Sequence, residues 1–441
     1  MNNKLTKKEF ISVSLMLFAM FFGSGNLIFP PILGNQAADA MWPSLLGFAV
    51  TAVIFPILGI LAVAKTKGVE NLGKRVGPVF AIVYPAIIFL SIGPGIAIPR
   101  NGSLAFEMSV LPYLSNNASL VAWRLGYTFL FFALAYFLSL TPSKLVDRMG
   151  KILTPVLLVL ILLFFFGSVA KLPVDIAPRN EAYARPVIKG FLEGYNTMDA
   201  LASLNFGFVI ALTIRRYQVN DDKEVIKYAS RSGLIAGFIL FIVYAMLAYV
   251  GEISSQANLN AANGGNILFN VTNQVFGSFG AVVLILIFTL ACLTTVVGLI
   301  TSVSEYFTEL FKEKLSYKAW TTIFTLVSFV LSNFGLNAIL QFSVPILVAI
   351  YPVAIVLILM ALLQDVFNFN NLTYRATVYV TFFISILQGL GAAKISVPLL
   401  TALAGKLPFA SDGMEWVIPA VVVAVVFNLV SKNGKNSVEV A

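Results

Sequence analysis

Two polar interruptions inside apolar stretches carry the chemistry that this sequence offers. Residues 10–33 are mostly apolar, yet Phe22-Gly23-Ser24-Gly25-Asn26 stands at their centre and Pro30-Pro31 near their end. Glycine, serine and asparagine hold a helix together poorly, so the backbone is expected to open there and free N–H and C=O groups. The stretch 187–214 is interrupted in the same way at Gly194-Tyr195-Asn196-Thr197-Met198-Asp199, which puts a carboxylate near its middle. A third feature is the hydroxyl pair Thr294-Thr295, following Thr289 in the stretch 273–304. Freed carbonyls and adjacent hydroxyls are hard oxygen ligands for a small cation, and freed N–H groups at a helix start attract an anion. Adjacent hydroxyls in an apolar helix also commonly bond back to the preceding turn. A carboxylate deep in an apolar segment needs a cation, a proton or a hydrogen-bonding partner.

These groups sit in an apolar chain. Of 441 residues, 59% are hydrophobic and 11% charged, against about 25% charged in ordinary soluble domains; the mean hydropathy is +0.90. The reading is a polytopic membrane protein with a single membrane domain spanning 1–441. A net charge of +9 would suggest nucleic acid in a soluble protein, but here the charge lies between apolar segments, so no nucleic-acid partner is expected. The absence of histidine removes histidine-based zinc sites, Ser-His-Asp and Cys-His catalysis, and histidine proton relays. One cysteine, Cys292, allows neither an intramolecular disulfide nor a cysteine cluster. No Walker A sequence is present, so ATP is not the expected energy source. Lys4, Lys7 and Lys8 before an apolar run resemble a signal peptide, but the run is long and no small-residue cleavage site follows, which makes it a retained first helix. Asn117-Ala118-Ser119 and Asn270-Val271-Thr272 match the glycosylation pattern, a match common by chance.

A crossing helix needs about 20 apolar residues. Candidates lie near 10–33, 41–64, 78–99, 120–140, 152–170, 187–214, 232–251, 273–304, 319–335, 337–363, 376–397 and 415–431, twelve in all. With a cytoplasmic N-terminus, 21 of the 29 Lys and Arg residues fall in inner segments and 8, among them Arg100 and Arg124, fall outside. Both termini are therefore expected inside. The outer segment 252–272 has no Lys or Arg; its piece 264–269 reads equally as a short capping helix or a polar loop. The tail from Lys432 to Ala441 reads as disordered.

Interruptions in the first and sixth crossings imply two five-helix halves of opposite orientation, roughly 10–170 and 187–363, with extra helices at 376–431. In such inverted repeats a site forms between the halves, at mid-membrane depth, from broken helices. Half-helix N-termini would face a carboxylate, and unwound carbonyls Na⁺ or an ammonium group, a polarity that suits an amino acid zwitterion. Gly23 and Gly25 would let backbone meet ligand closely, the alternative being tight helix crossing. Asp199 is expected to face the central cavity, beside Tyr195, Asn196 and Thr197.

The motif from Phe22 to Pro31, together with Gly194-Tyr195, Thr197 to Ala202 and Cys292 to Thr295, resembles the bacterial branched-chain amino acid:cation symporter family over nearly the whole chain. The resemblance implies uptake of leucine, isoleucine and valine across the bacterial inner membrane, driven by Na⁺ or H⁺, with no obligate protein partner. More distantly, Gly23-Ser24-Gly25-Asn26 is similar to the unwound first helix of LeuT-type sodium-coupled transporters. That similarity implies an all-α fold with a five-plus-five repeat, and a Na⁺ site from the carbonyls of Ala19 and Phe22 with the hydroxyls of Thr294 and Thr295. It also implies that Ser24 and Gly25 backbone groups hold the substrate carboxylate and that Asn26 lies near substrate or a second cation. Asn196 departs from the family pattern, which has an apolar residue there.

Other classes fit poorly. A channel would be expected to repeat a pore loop. An intramembrane enzyme would need chemistry that is missing, since neither H-E-x-x-H nor G-x-S-x-G occurs and Asp365 falls at a helix end. The expectation is a Na⁺-coupled symporter without a further cofactor; proton coupling through Asp199 is the alternative.

Overall fold

The computed structural model describes residues 4–115, 118–395, 397 and 403–436, and among these every regular element is a helix. Asn117 and residues 437–441 of the tail lie outside the described residues.

The chain starts with α1 (Lys7–Phe21), held at its N-terminus by a capping box between Thr6 and Glu9. After Phe22 and Gly23 it resumes as α2 (Ser24–Ala37). Next come α3 (Met41–Ala49) and α4 (Phe55–Thr66), joined by a π-helical turn at Val50–Ile54, and the short α5 (Val69–Lys74). α6 (Phe80–Leu90) and α7 (Ala97–Ser109) are separated by Ser91–Gly95, where Gly93 leaves helical geometry. Gly93-Pro94-Gly95 is a strong breaker, so this third interruption was open to a reading of the sequence. α8 (Leu120–Ser139) and α9 (Thr154–Lys171) follow, then α10 (Pro186–Tyr195) and α11 (Asp199–Arg216), which are bent by 47° across Asn196–Met198. α12 (Asp222–Ile253), α13 (Gly264–Phe276), α14 (Ser278–Leu310), α15 (Tyr317–Ser332), α16 (Leu336–Phe367), α17 (Asn371–Ala392) and α18 (Val417–Asn436) complete the order.

Among the described residues each of the twelve apolar stretches is largely helical, but several ends differ. The third continues to Ser109 instead of stopping at 99, which takes Arg100 out of an outer loop and into α7. The charge ended the hydropathy signal, not the helix. The eighth stretch divides, because Gly277 (φ 55°) separates α13 from α14. The segment 264–269 is thus the start of a thirteen-residue helix resting on α2, where Gly264 meets the Ile28 backbone. Residues 432–436, read as tail, extend α18.

Burial sorts the helices. The apolar stretch of Ser278–Leu310 is 78% buried and that of Leu120–Ser139 only 22%. Accordingly α8 and α9 present Trp123, Phe129, Phe137, Val159 and Phe166 outward, as a lipid-facing surface requires. α1, α2, α11 and α14 form the centre, around Phe18, Phe22, Phe206 and Phe288. Small residues bring helices into backbone contact there: Gly34 faces Ala248 between α2 and α12, and Gly190 faces Ser44 between α10 and α3.

Candidate functional site

The two main interruptions meet. α1 ends at Phe22, whose N–H donates to the Phe18 carbonyl, and α2 starts at Ser24. The first N–H groups of a helix have no partner within it. Gly23 N–H donates to the Asn26 side-chain oxygen at 3.0 Å, and Ser24 N–H to the Asn101 side-chain oxygen at 2.8 Å. Asn101 is held in turn by its amide, which donates to Ala97 O at 2.7 Å.

The second break is wider. Met198 adopts a left-handed conformation (φ 67°) before α11. Asp199 then opens α11, where an acid faces the positive end of the helix. Asp199 is 2% exposed. Its Oδ2 accepts from the Asn26 amide at 2.6 Å and from the Tyr244 hydroxyl at 2.8 Å; Asn26 and Tyr244 also hydrogen-bond each other. Asn26 therefore caps its own half-helix and ties it to the other break.

Gly23, Ser24, Asn26, Thr197, Asp199 and Thr295 line one cavity, together with Arg100 and Asn101. Its volume is about 20 Å³, room for roughly one water. The remaining expected residues stand around it. Gly25 packs against Arg100 and the Asn196 carbonyl. Tyr195 stacks on Tyr351, with ring centroids 4.2 Å apart, and the Tyr351 hydroxyl accepts from Ala200 N–H at 3.2 Å. The Asn196 side chain turns away to Glu193 at 3.2 Å, so its carbonyl is the group that faces inward. The Thr295 hydroxyl donates to Ala19 O at 3.2 Å. Thr294 instead donates to Ala291 O in its own helix at 3.0 Å, and the Phe22 ring stacks on Phe18. Among the described residues no cluster of three or more His, Cys, Asp or Glu exists, so a cation here would be met by carbonyls, hydroxyls and at most the one carboxylate of Asp199.

The glycines at the first break differ from those at helix crossings. A Cβ on Gly23 would lie 2.8 Å from both Thr295 Oγ1 and Asn101 Oδ1, and one on Gly25 would lie 2.7 Å from Arg100 Nη2. At Gly34 the obstacle is neighbouring backbone, Ala248 O at 1.8 Å. Gly23 and Gly25 keep space for side chains of the site; Gly34 serves packing.

Sequence reasoning missed Arg100, Asn101, Tyr244 and Tyr351. Arg100 is 2% exposed; its Nε donates to Ser24 Oγ at 3.1 Å and its Nη1 to Asn196 O at 2.8 Å. An ionisable residue within a membrane helix is a functional candidate by default, but the hydropathy signal ends at 99 and so puts Arg100 in an outer loop.

Comparison with known proteins shows the family and the fold. A family described as "Branched-chain amino acid transport protein" matches residues 6–434. The chain is 42% identical over 429 residues to the branched-chain amino acid permease BraB of Bacillus subtilis, covering 97% of this chain and 96% of that one. It is 40% identical to the permease BrnQ of the same organism, covering 96% of each. With the branched-chain amino acid transport system 2 carrier protein of Pseudomonas aeruginosa it shares 38% identity, covering 95% of each. Among solved structures, the nucleobase-cation-symport-1 family transporter Mhp1, with bromovinylhydantoin bound, aligns with a TM-score of 0.58 at 13% identity, covering 98% of this chain and 94% of that one. MhsT in complex with L-phenylalanine aligns with a TM-score of 0.54 at 16% identity, covering 98% of each. At such identities the likeness shows the fold alone, the LeuT-type transporter fold. The protein is a multi-pass membrane transporter, not an enzyme, and the chain belongs to the branched-chain amino acid transport protein family.

Proposed function

We propose that the protein is a secondary active symporter that imports leucine, isoleucine and valine with Na⁺ across the bacterial inner membrane. The observation that carries this is the meeting of the two breaks, joined from Asn26 to Asp199 at 2.6 Å, in a family whose relatives are named for branched-chain amino acids. Helix starts on one side and freed carbonyls on the other suit the two poles of a zwitterion. Gly23, Ser24, Gly25, Asn26, Tyr195, Asn196, Thr197 and Asp199 are the proposed substrate residues. Ala19 and Thr295, whose oxygens converge at 3.2 Å, support the Na⁺ site, to which Phe22 and Thr294 are assigned. A second reading, H⁺ coupling, is favoured by one observation: Asp199 is buried and lines the same cavity.

Twelve crossings with cytoplasmic termini and an inverted repeat of 10–170 and 187–363 complete the proposal. With Arg100 inside a helix, the outer set of Lys and Arg falls to seven, which strengthens the charge bias. Introduced cysteines at 258–266 should react with an impermeant reagent from outside, and those at 65–75 should not.

Leucine uptake into proteoliposomes, with a Na⁺ gradient at fixed pH and then a pH gradient without Na⁺, tests the proposal. Na⁺-driven accumulation is expected. Isoleucine and valine should compete, separated by about 1–3 kcal/mol, the worth of one methylene in an apolar pocket. Lysine and glutamate should not, since each would bury an unpaired charge. Uptake driven by pH alone would establish the second reading, and no accumulation under either gradient would refute both.

A further inference from the structure

Arg100 is a buried cation without a fixed anion. No carboxylate among the described residues lies within ion-pairing distance of it, the nine ion pairs lying elsewhere. A guanidinium offers five N–H donors, and Arg100 uses Nε and Nη1 on two neutral acceptors, while Nη2 has no hydrogen-bond acceptor among the described residues. Burying such a charge costs several kcal/mol unless an anion meets it. Its neighbour makes the imbalance worse: Arg100 lies against the first turn of α2, which carries the positive end of the helix dipole. Asp199, on the same cavity, is already engaged by Asn26 and Tyr244. Two positive features therefore converge on one cavity whose single carboxylate, Asp199, hydrogen-bonds to Asn26 and Tyr244 and forms no ion pair with Arg100.

We propose that Arg100 binds the carboxylate of the substrate, giving up the Asn196 carbonyl to the substrate's ammonium group as it does so. This rests on the reading of the site as one for amino acids. The planar fork of arginine matches a carboxylate with two parallel hydrogen bonds. A cavity of about 20 Å³ cannot hold leucine beside the guanidinium in its present place, so the side chain has to turn. Its head is held by two hydrogen bonds to neutral groups and by the Phe29 ring 5.9 Å away, with no ion pair among the described residues to lock it. Gly25 leaves room beside Nη2, since a Cβ there would lie 2.7 Å from it. The substrate thus replaces Arg100 at Asn196 O and supplies the anion that Arg100 lacks.

The test compares leucine with 3-methylbutylamine, which keeps the aliphatic chain and amine but has no carboxylate. Binding of each to the purified full-length protein is measured by calorimetry for the wild type, Arg100→Gln and Arg100→Lys. Arg100→Gln should weaken leucine roughly 10- to 100-fold, the range for hydrogen bonds to a charged group, and should not weaken the amine, which no longer competes with the guanidinium for Asn196 O. Arg100→Lys should weaken leucine less, since it keeps the charge but loses the fork. If Arg100→Gln does not purify as a single species, the leucine-to-amine ratio in Arg100→Lys decides. Parallel weakening of both ligands, or no change in either, would overturn the proposal by making Arg100 structural. A wild type that binds no leucine would instead overturn the amino acid reading, and the wild-type arm alone reports it.

Discussion

The two breaks at the centre of the molecule are built differently. The first, at Phe22 and Gly23, is short, and side chains secure its N–H groups: Asn26 takes Gly23 and Asn101 takes Ser24. The second, Asn196–Met198, is longer, bent by 47°, and held in part by the left-handed Met198. Its inward group is a carbonyl, Asn196 O, which Arg100 reaches at 2.8 Å. The first break thus carries N–H groups held by movable side chains, and the second an acceptor beside a carboxylate. On the proposed reading, one pole suits an anion and the other a cation, the asymmetry that a zwitterion needs.

The largest expected effect comes from filling the gap between the breaks. In Gly25→Ala the new Cβ would lie 2.7 Å from Arg100 Nη2 and 3.1 Å from Asn196 O. Overpacking of this kind costs about 1–3 kcal/mol, so uptake should fall by up to about 100-fold. The nearest obstacle is the end of a flexible side chain, so the Tm should fall only slightly. Gly34→Ala is the contrast, because its Cβ would lie 1.8 Å from Ala248 O; there the folded protein itself should be lost, read as lower yield and a lower Tm. Equal losses of Tm in both variants would erase the distinction between site glycines and packing glycines.

Next in size is the acid of the second break. Asp199→Asn keeps the shape but removes the charge that the Asn26 amide and the Tyr244 hydroxyl approach. Leucine binding should weaken roughly 10-fold, as the loss of charge-assisted hydrogen bonds predicts, and exchange should weaken with it. Leucine exchange at the wild-type rate without net accumulation would show instead that Asp199 cycles the coupling proton. Normal accumulation with unchanged ion dependence would reduce it to a structural carboxylate.

The breaks were legible in the sequence because they depend on local residue type. Gly23-Ser24-Gly25-Asn26 and Gly194 to Asp199 each place weak helix formers inside an apolar run, and backbone physics acts on that directly. What lay hidden depended on tertiary contact. Tyr244 and Tyr351 sit in apolar helices where a tyrosine is unremarked, and only packing of α12 and α16 against α11 gives their hydroxyls a role. Arg100 was hidden for the opposite reason, since a charge signals the end of an apolar stretch even when the helix continues to Ser109. Asn196 was singled out for its side chain, whereas its carbonyl faces inward. Sequence names the residue at a break but not which of its atoms the fold turns to the cavity.

The smallest effect concerns the hydroxyl pair beside the first break, and it separates two residues that the sequence treats alike. Thr295 donates across helices to Ala19 O, the last turn of α1, whereas Thr294 donates to Ala291 O within α14. A hydroxyl bonded back to its own preceding turn is the common state of threonine in a helix. One bonded across to a carbonyl at a break has a partner that a cation could share. Valine preserves the shape and deletes the oxygen, at a cost of about 1 kcal/mol per lost interaction, or roughly fivefold in affinity. Thr295→Val should therefore raise the Na⁺ concentration for half-maximal leucine uptake about fivefold, and Thr294→Val by less. Equal shifts would mean that Thr294 turns toward Ala19 when Na⁺ binds, making the pair a single site. Wild-type uptake indifferent to Na⁺ at fixed pH would remove the ion from this place, leaving the contact between Thr295 and Ala19 as a clamp on the broken helix.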